Sequence, residues 1–204
     1  MILFIDLETS GLPKCPSYGN YYAYTDKEKY DSSRIVEICW IICDKKGNEL
    51  KRQSYIVRPG NFEIPEAVSN IHGITQTAAL LDGYDIDRVF SELNDDIIHF
   101  DTKKFVSHNV GFDYHVLMSE LHRNRNFGTC AFIAEMKKKC TMEAGKNICK
   151  IKPRFGNGFK PPRLNELYDF LFDTICETKH RAESDTEMCV KCYFELVRRS
   201  KSSN

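Results

Sequence analysis

The stretch ILFIDLETSGL, which runs from Ile2 to Leu12, sets the centre of the expected fold. Its first four residues form a short continuous apolar run, which is typical of a strand buried on both faces. Because residues two apart on a strand point the same way, Asp6 and Glu8 are expected to project side by side at the strand's end. Gly11 then allows the chain to turn sharply.

Two neighbouring carboxylates repel each other unless a positive charge lies between them. A divalent cation that prefers hard oxygen ligands, Mg²⁺ or Mn²⁺, would meet that requirement between Asp6 and Glu8. The alternative is a strand end that carries two solvated acids. The pair alone does not decide between these interpretations, so the rest of the chain must.

The composition indicates a globular protein without a net charge. The 204 residues suffice for one domain with a full core, and 42% of them are hydrophobic. Basic and acidic residues number 29 each, so net charge argues neither for nor against a polyanionic partner. The sequence has no signal-peptide pattern and no apolar run of membrane length. We therefore expect an intracellular protein, cytoplasmic or nuclear and not secreted.

The nine cysteines are expected to be reduced thiols in such a compartment. Cys189 and Cys192 form a CxxC pair inside a predicted helix, where they are either buried on a helix face or part of a zinc site. No second CxxC or histidine pair stands at zinc-finger spacing, which favours the buried helix face.

The hydrophobic pattern predicts one α/β domain with a mixed sheet over residues 1–200 and a frayed end at 201–204. After the first strand, further strands are predicted at 34–43, 50–57, 104–107 and 129–133, the first two of these forming a hairpin. A short helix is predicted from Pro65, with Gly73 as its C-cap and Thr75 as the next N-cap. Longer helices are predicted at 85–100, 109–123, 165–172 and 182–199.

Residues 13–33 form a polar, turn-rich insertion that a compact domain does not need. We interpret it as a surface insertion whose tyrosines fold onto the domain. The alternative is a flap beside the active site that stacks on bases. The tyrosines concerned are Tyr18, Tyr21, Tyr22, Tyr24 and Tyr30.

Residues 137–163 concentrate basic charge, with nine lysines and arginines against the single acid Glu143. Aromatic residues stand among these cations, a combination that suits single-stranded nucleic acid. We therefore predict a substrate-binding segment in which Lys150, Lys152 and Arg154 contact the strand. The alternative is a solvated, mobile loop.

Two further acids are expected near the first pair. Asp113 stands four residues after Asn109, which is well placed to cap the helix that follows the strand at 104–107. The alternative for Asp113 is an exposed acid favoured by the helix dipole. His180 and Asp185 converge if His180 lies on the approach to the last helix and Asp185 lies in its first turns.

The ordered set of motifs resembles the DEDDh 3′–5′ exonucleases, a DnaQ-like family with RNase T-type members. The motifs are FIDLETSGL at 4–12, IHGIT at 71–75, HNVGFD at 108–113 and HRAESD at 180–185. The resemblance implies a ribonuclease H-like fold, an α/β architecture in which helices flank a mixed five-stranded sheet. It also implies that 1–200 is a single exonuclease domain. The segments at 13–33 and 141–162 depart from the family pattern.

The resemblance also implies a role for each motif residue. Asp6, Glu8, Asp113 and Asp185 would hold two divalent ions, Mg²⁺ or Mn²⁺, with Asp6 bridging both ions and Asp113 binding partly through water. His180 would be the general base. Two such ions can activate water and stabilise the leaving oxygen of a phosphodiester, and a neutral imidazole suits proton removal near pH 7.

The same resemblance suggests contacts to the terminal nucleotide by Thr9, Gly11, Leu12, His72 and Asn109. Leu12 would wedge against a base, or else lie in the core. His72 would approach the 3′ end, or else only fix its own turn.

These inferences predict a metal-dependent 3′–5′ exonuclease that releases nucleoside monophosphates from single-stranded or frayed ends of DNA or RNA. The expected partner is nucleic acid, with a polymerase or another replication or repair protein as a further candidate. The first alternative is a module that binds nucleic acid but does not cleave it, which predicts a missing carboxylate or base. All five positions are filled, which disfavours that alternative. A single-metal hydrolase acting on an unrelated substrate is a second alternative.

Overall fold

A computed structural model describes residues 1–17, 19–176 and 180–202 of the chain. The strands are β1 (Ile2–Thr9), β2 (Ile35–Cys43), β3 (Glu49–Ile56), β4 (Lys104–Ser107) and β5 (Lys137–Cys140). The helices are α1 (Glu66–His72), α2 (Gln76–Asp82), α3 (Ile86–His99), α4 (Val110–Arg123), α5 (Phe127–Glu135), α6 (Thr141–Cys149), α7 (Leu164–Phe172) and α8 (Ala182–Ser202).

The five strands form one sheet in the order β3-β2-β1-β4-β5. β1 pairs antiparallel with β2 and parallel with β4, so the sheet is mixed. β3 extends the antiparallel side and β5 the parallel side. The predicted α/β fold with a mixed five-stranded sheet and flanking helices is therefore confirmed.

The alternation of side chains along β1 separates two hydrophobic cores. Leu3 and Ile5 face a core that includes side chains from α3, α4 and α5. Ile2 and Phe4 face the opposite core, which is covered by α7 and α8. A strand with a full layer on each face needs apolar residues at nearly every position, which explains the continuous run at the start of the sequence.

The strand predicted at Thr129–Ile133 is wrong, because these residues lie in the middle of α5. Cys130 and Ile133 are buried at helical spacing, whereas Phe132 between them is half exposed. A short apolar run fits either a helix or a strand, and here the helical spacing of the buried positions decides.

The fifth strand is instead Lys137–Cys140, the edge strand β5. Three of its four residues are lysines, so the segment lacks the apolar alternation that predicts a strand. Charged side chains on an edge strand oppose pairing with another chain. The basic segment was therefore only partly loop, since α6 follows β5 directly.

The predicted helix ends are mostly as expected. Gly73 closes α1 in the left-handed conformation, and Thr75 caps α2 by accepting a hydrogen bond from the Ala78 amide. Asn109 occupies the N-cap position of α4, but its backbone is left-handed and its side chain makes no capping hydrogen bond.

The last helix is longer than predicted. α8 continues through Ser202, three residues beyond the predicted helix end at 199, and residues 203–204 of the predicted frayed end lie outside the described residues. Within the part of the chain that the structure describes, no helix is both long and apolar enough to cross a membrane.

Candidate active site

The end of β1 brings the first two acids to the face that α8 covers. Asp6 and Glu8 continue the series of alternate positions that begins with Ile2 and Phe4. The first part of this series is therefore anchored in the core, while its last two members meet the start of α8.

Asp185 joins this pair from the first turns of α8. Asp6, Glu8 and Asp185 each offer an oxygen atom, and these atoms lie within 4.8 Å of one another. The Asp185 amide donates to the Arg181 carbonyl at 3.0 Å, which starts the helix next to the strand end.

Asp113 completes the acidic cluster from the first turn of α4. Its side chain is 2% exposed, so it is not the solvated helix-dipole acid that was the alternative. The Ser107 hydroxyl donates to Asp113 Oδ2 at 2.8 Å, and the backbone of Leu7 lowers the pKa of this carboxyl. The bond from Ser107 ties α4 to the end of β4.

Burial raises the pKa of all four acids, and repulsion within the group raises the pKa of Asp6 and Glu8 further. Burial raises the pKa of Asp6 well above its ordinary value, and the charge of Asp113 adds to the effect. Glu8 has a pKa of about 8 and Asp113 of about 7, with burial as the main cause in both. Burial also raises the pKa of Asp185.

This donor set fits divalent cations. Among the described residues, none of the four carboxylates forms an ion pair with a lysine or an arginine. Carboxylate oxygens are the ligands that Mg²⁺ and Mn²⁺ prefer, and a bound cation would offset the repulsion that raises the pKa values. The arrangement therefore can hold metal, with Asp6, Glu8 and Asp185 as the core of the site.

His180 lies beside the acidic cluster, immediately after the undescribed residues 177–179. Its side chain is exposed, and its backbone has a φ of 44°. It lines the same cavity as Asp6 and Asp185, and its charge lowers the pKa of Asp185. The predicted convergence of His180 and Asp185 is therefore present in the structure.

A buried ion pair that sequence reasoning missed fixes the segment around His180. Glu37 stands opposite Glu8 in the β1–β2 register and is 1% exposed. Its carboxylate accepts hydrogen bonds from the guanidinium of Arg181, with Nη2 at 2.5 Å, and from the amide of Ala182 at 2.9 Å. An acid within the apolar run RIVEICWIIC was the available signal, because a buried carboxylate requires a partner.

The cavity over the cluster has a second wall that the sequence did not reveal. Its volume is about 560 Å³, and the segment 160–165 forms one side. His108 joins that wall to the sheet, because its Nε2 lies 3.1 Å from the Pro162 carbonyl and its Nδ1 lies 2.9 Å from Thr141 Oγ1. Burial lowers the pKa of His108 to about 4, so the ring is neutral at pH 7 and its proton is on Nε2, where it donates to Pro162.

The structure removes one alternative for the residues that follow the acidic pair. Leu12 is 77% exposed, so the core interpretation of this side chain is wrong. The Thr9 hydroxyl donates to the Gly11 carbonyl at 2.7 Å. A Cβ atom on Gly11 would lie 2.8 Å from the Ser32 carbonyl oxygen, so the insertion packs closely against this turn.

His72 is buried and fixes its own turn by accepting a hydrogen bond from the Ile74 amide on Nδ1 at 3.1 Å. Within the described residues, its Nε2 has no hydrogen-bond partner. The charges of Glu37 and Arg181 both act on its pKa, which burial lowers. His72 therefore fixes its own turn, and its contact with the 3′ end of a substrate stays a prediction.

The predicted contacts Lys150, Lys152 and Arg154 are exposed but do not line the cavity. The guanidinium of Arg154 lies over the Phe155 ring at 5.3 Å, and this ring is 81% exposed. The basic segment instead supplies the cavity with Lys160 and Arg163. The role of the three outer cations stays a prediction.

The insertion at 13–33 packs onto the domain, in agreement with the interpretation favoured from the sequence. Tyr30 is fully buried, and its hydroxyl donates to the Tyr22 carbonyl at 2.6 Å. The Tyr21 ring stacks on His115 of α4, with 4.7 Å between centroids. Tyr18 lies outside the described residues.

The two cysteines of the CxxC pair are buried in the core between α8 and the sheet, as predicted. Their pKa values are raised by burial, which keeps them as neutral thiols. Among the described residues, the only group with metal-binding geometry is the acidic cluster.

Several solved structures share this fold. Exonuclease X in complex with 5′ overhanging duplex DNA is similar over 98% of this chain and 93% of that chain, at 22% identity and a TM-score of 0.59. The zinc-bound complex of E. coli ExoI with ssDNA is similar over 98% of this chain and 41% of that chain, at 19% identity and a TM-score of 0.67. Exonuclease I from Methylocaldum szegediense has 19% identity and a TM-score of 0.66, over 97% of this chain and 40% of that chain.

These likenesses confirm the ribonuclease H-like fold, and this chain spans about two fifths of the exonuclease I chains. No curated protein sequence matches the chain significantly. A family model, RNase T, described as an exonuclease, matches residues 3–193. Because that match covers nearly the whole sequence, the chain belongs to the RNase T family of exonucleases.

Proposed function

We propose that this protein is a metal-dependent 3′–5′ exonuclease of the DEDDh type that releases nucleoside monophosphates from single-stranded or frayed ends. One observation carries the proposal. Asp6, Glu8 and Asp185 offer oxygen atoms within 4.8 Å of one another, and Asp6 and Asp185 line a cavity together with His180. Membership of an exonuclease family supports phosphodiester hydrolysis as the reaction.

The acids would hold two ions, Mg²⁺ or Mn²⁺. Asp6, Glu8 and Asp185 are close enough to share ligands, and Asp113 adds a fourth carboxylate whose charge reaches Asp6. When bound, two such ions supply a water activated for attack and charge that stabilises the leaving oxygen. The protein's own part is to keep the four carboxylates together against their repulsion, through the core beneath β1 and the bonds to Asp113.

His180 would take the proton of the attacking water. Its exposed ring stands at the cavity beside Asp185, and an imidazole can accept a proton near neutral pH. The bond between Arg181 and Glu37 holds the next residue in place, so the ring needs no rearrangement of the helix start.

The cavity volume of about 560 Å³ is suited to one terminal nucleotide. Leu12 would wedge against a base, and the 77% exposure of its side chain supports this role. The neighbours in complex with DNA make DNA the first substrate to test, with RNA beside it.

The test is digestion of matched single-stranded DNA and RNA, labelled at the 5′ end, with Mg²⁺ or Mn²⁺. We expect a ladder that shortens from the 3′ end and releases mononucleotides. Asp6→Asn should abolish it, and His180→Gln should slow it by about 10²–10⁴-fold, the usual contribution of a general base. Glu183→Gln is the matched control, because this acid lies on the same helix but is exposed and outside the cavity.

The outcomes separate the alternatives. A ladder that shortens from the 5′ end would contradict the proposed polarity. Cleavage that survives Asp6→Asn would contradict the metal site. Binding of both strands without cleavage of either would identify a recognition module instead of a nuclease.

A further inference from the structure

A second concave surface, here called the distal groove, lies away from the acidic cluster. It has a volume of about 680 Å³ and combines cations with two aromatic rings. The β2–β3 turn, the end of α7 and the second half of α8 form its walls. The lining residues used below are Lys45, Lys46, Phe172, Lys191, Phe194 and Lys201.

The distal groove is strongly basic although the protein as a whole is neutral. Its lining includes five lysines and arginines and one acid, Glu195. That acid is already bonded by Arg198 and Arg199, each at 2.7 Å. Within the described part of the chain, Lys45, Lys46 and Lys201 form no ion pair, so their charge is available to an anion.

The cations on α8 follow one stripe of the helix. Lys191, Phe194, Arg198 and Lys201 are separated by steps of three and four residues, which places them on one face. At 1.5 Å per residue the stripe is about 15 Å long. One strand of a nucleic acid carries a phosphate about every 3.4 Å along a duplex axis, so the stripe can face about four phosphates.

Two aromatic rings complete the surface. Phe172 is 40% exposed at the end of α7, and Phe194 packs beside Gly47 of the turn between β2 and β3. Aromatic rings interleaved with cations suit a nucleic acid strand, because every base can stack on a ring.

The distal groove is on the same side of the sheet as the acidic cluster but at the opposite end of α8. Asp185 and Lys201 are 16 residues apart on this helix, which is about 24 Å. The β2–β3 turn lies at the other end of β1 from the acids, because Ile2 pairs with Cys43. A nucleic acid strand whose 3′ end lies in the cavity therefore reaches the groove only through nucleotides upstream of that end.

We propose that the distal groove is a second binding site for the sugar-phosphate backbone, which holds the part of the substrate upstream of the 3′ end. The inference rests on the proposed function for the identity of the substrate. An anionic membrane is the other polyanionic surface that lysines attract. The groove is concave and Phe194 packs beside Gly47, whereas a membrane site presents a broad exposed apolar face.

The test compares binding and cleavage for a short strand and a long strand. The variant is Lys45→Glu with Lys46→Glu, two exposed positions of a turn whose backbone is held by the Asp44 carboxylate. We expect its affinity for a single strand of about 30 nucleotides to fall about tenfold. The slope of log K against log salt concentration should become shallower by about 1.4, because each lost phosphate contact removes about 0.7. Its rate on a dinucleotide, which is too short to span the roughly 24 Å to the groove, should stay unchanged.

The matched control is Arg58→Glu with Arg125→Glu, which changes the charge equally at two exposed positions outside the groove. Equal losses in the two double variants would show only non-specific attraction and would overturn the proposal. It would also be overturned by an unchanged affinity and salt slope for the long strand, or by equal losses on the short and long strands. Loss of binding to phosphatidylserine vesicles without loss of binding to nucleic acid would assign the groove to membranes instead.

The binding measurements do not need cleavage, so they separate this proposal from the proposed function. If the protein binds the long strand through the groove but cleaves nothing, the groove stands and the nuclease assignment fails. If it cleaves both strands and the variant behaves as wild type, only the groove assignment fails.

Discussion

Replacing Glu8 by glutamine should stabilise the metal-free protein at alkaline pH. The pKa of Glu8 is about 8 in the folded chain, above its ordinary value of 4.5, because of burial and then the charges of Asp185, Glu37 and Asp113. The charged form is therefore less favourable in the folded chain than in the unfolded one. The penalty is absent below pH 4.5, grows as the pH rises, and is complete above pH 8.

The size of the effect follows from the same two pKa values. At about 1.4 kcal/mol per pH unit, the difference between 4.5 and about 8 corresponds to about 5 kcal/mol. Glu8 is partly exposed, so solvent screening reduces the expected effect to about 2–3 kcal/mol. The variant should therefore be more stable than wild type by about 2–3 kcal/mol near pH 9, and by little or nothing near pH 4.

Urea unfolding with a chelator present, at a series of pH values, measures this difference. Glu63→Gln is the control, because it makes the same chemical change at an exposed loop position and should leave the free energy of unfolding nearly unchanged. A stability difference for Glu8→Gln that is the same at both ends of the pH series would refute the reasoning, since burial would then not disfavour the charge.

Adding metal should offset most of the advantage of Glu8→Gln near pH 9. Mg²⁺ or Mn²⁺ at about a hundred times its dissociation constant stabilises a folded protein by about 2.7 kcal/mol. Wild type should gain this amount, and Glu8→Gln should gain much less because one ligand is altered. An equal gain in both proteins would show that the ions bind elsewhere.

Three further predictions concern residues around the site. Arg181→Met should destabilise the protein by about 2–4 kcal/mol because it leaves Glu37 buried without its partner, and the double variant with Glu37→Gln should lose less than the sum of the single losses in urea unfolding. Gly111→Ala should loosen the insertion, because the added Cβ would lie 2.9 Å from the Tyr21 ring, so limited proteolysis within 13–33 should speed up. The control is Gly128→Ala, a helix position with open space, which should leave the rate of proteolysis unchanged. His108 has its folded pKa lowered from 6.5 to about 4, so its contribution to stability is complete above pH 6.5 and is lost as the pH falls towards 4. The hydrogen-exchange protection factors in 160–165, which are corrected for the intrinsic pH dependence of exchange, should therefore fall over that range in wild type but not in His108→Gln.

The sequence predicted the part of the fold that depends on local pattern. The apolar run of β1, the hairpin of β2 and β3, and the stripe of α3 follow from periodicity alone, and all three are present. The pattern failed where two principles competed. Residues 129–133 are apolar enough for a strand but lie in α5, and the three lysines of β5 concealed a strand at the sheet edge.

The candidate site was also predictable only where local sequence pattern determines the position of a residue. The positions of Asp6, Glu8 and Asp113 follow from the two-residue period of a strand and the first turn of a helix. The contact between Glu37 and Arg181 joins residues 144 positions apart, and that between His108 and Pro162 joins residues 54 apart. No local pattern carries such contacts, although a charged residue inside an apolar run indicates that a distant partner exists.

The bond between Glu37 and Arg181 has a consequence for how activity can be lost. Arg181 directly follows His180 and stands one helical turn before Asp185. A displacement that separates Arg181 from the sheet therefore removes the proposed base and one carboxylate of the cluster together. The site is therefore expected to be either competent or incompetent. A substitution that weakens the bond between Glu37 and Arg181 should lower the fraction of active molecules, and the rate of each molecule that stays active should not change.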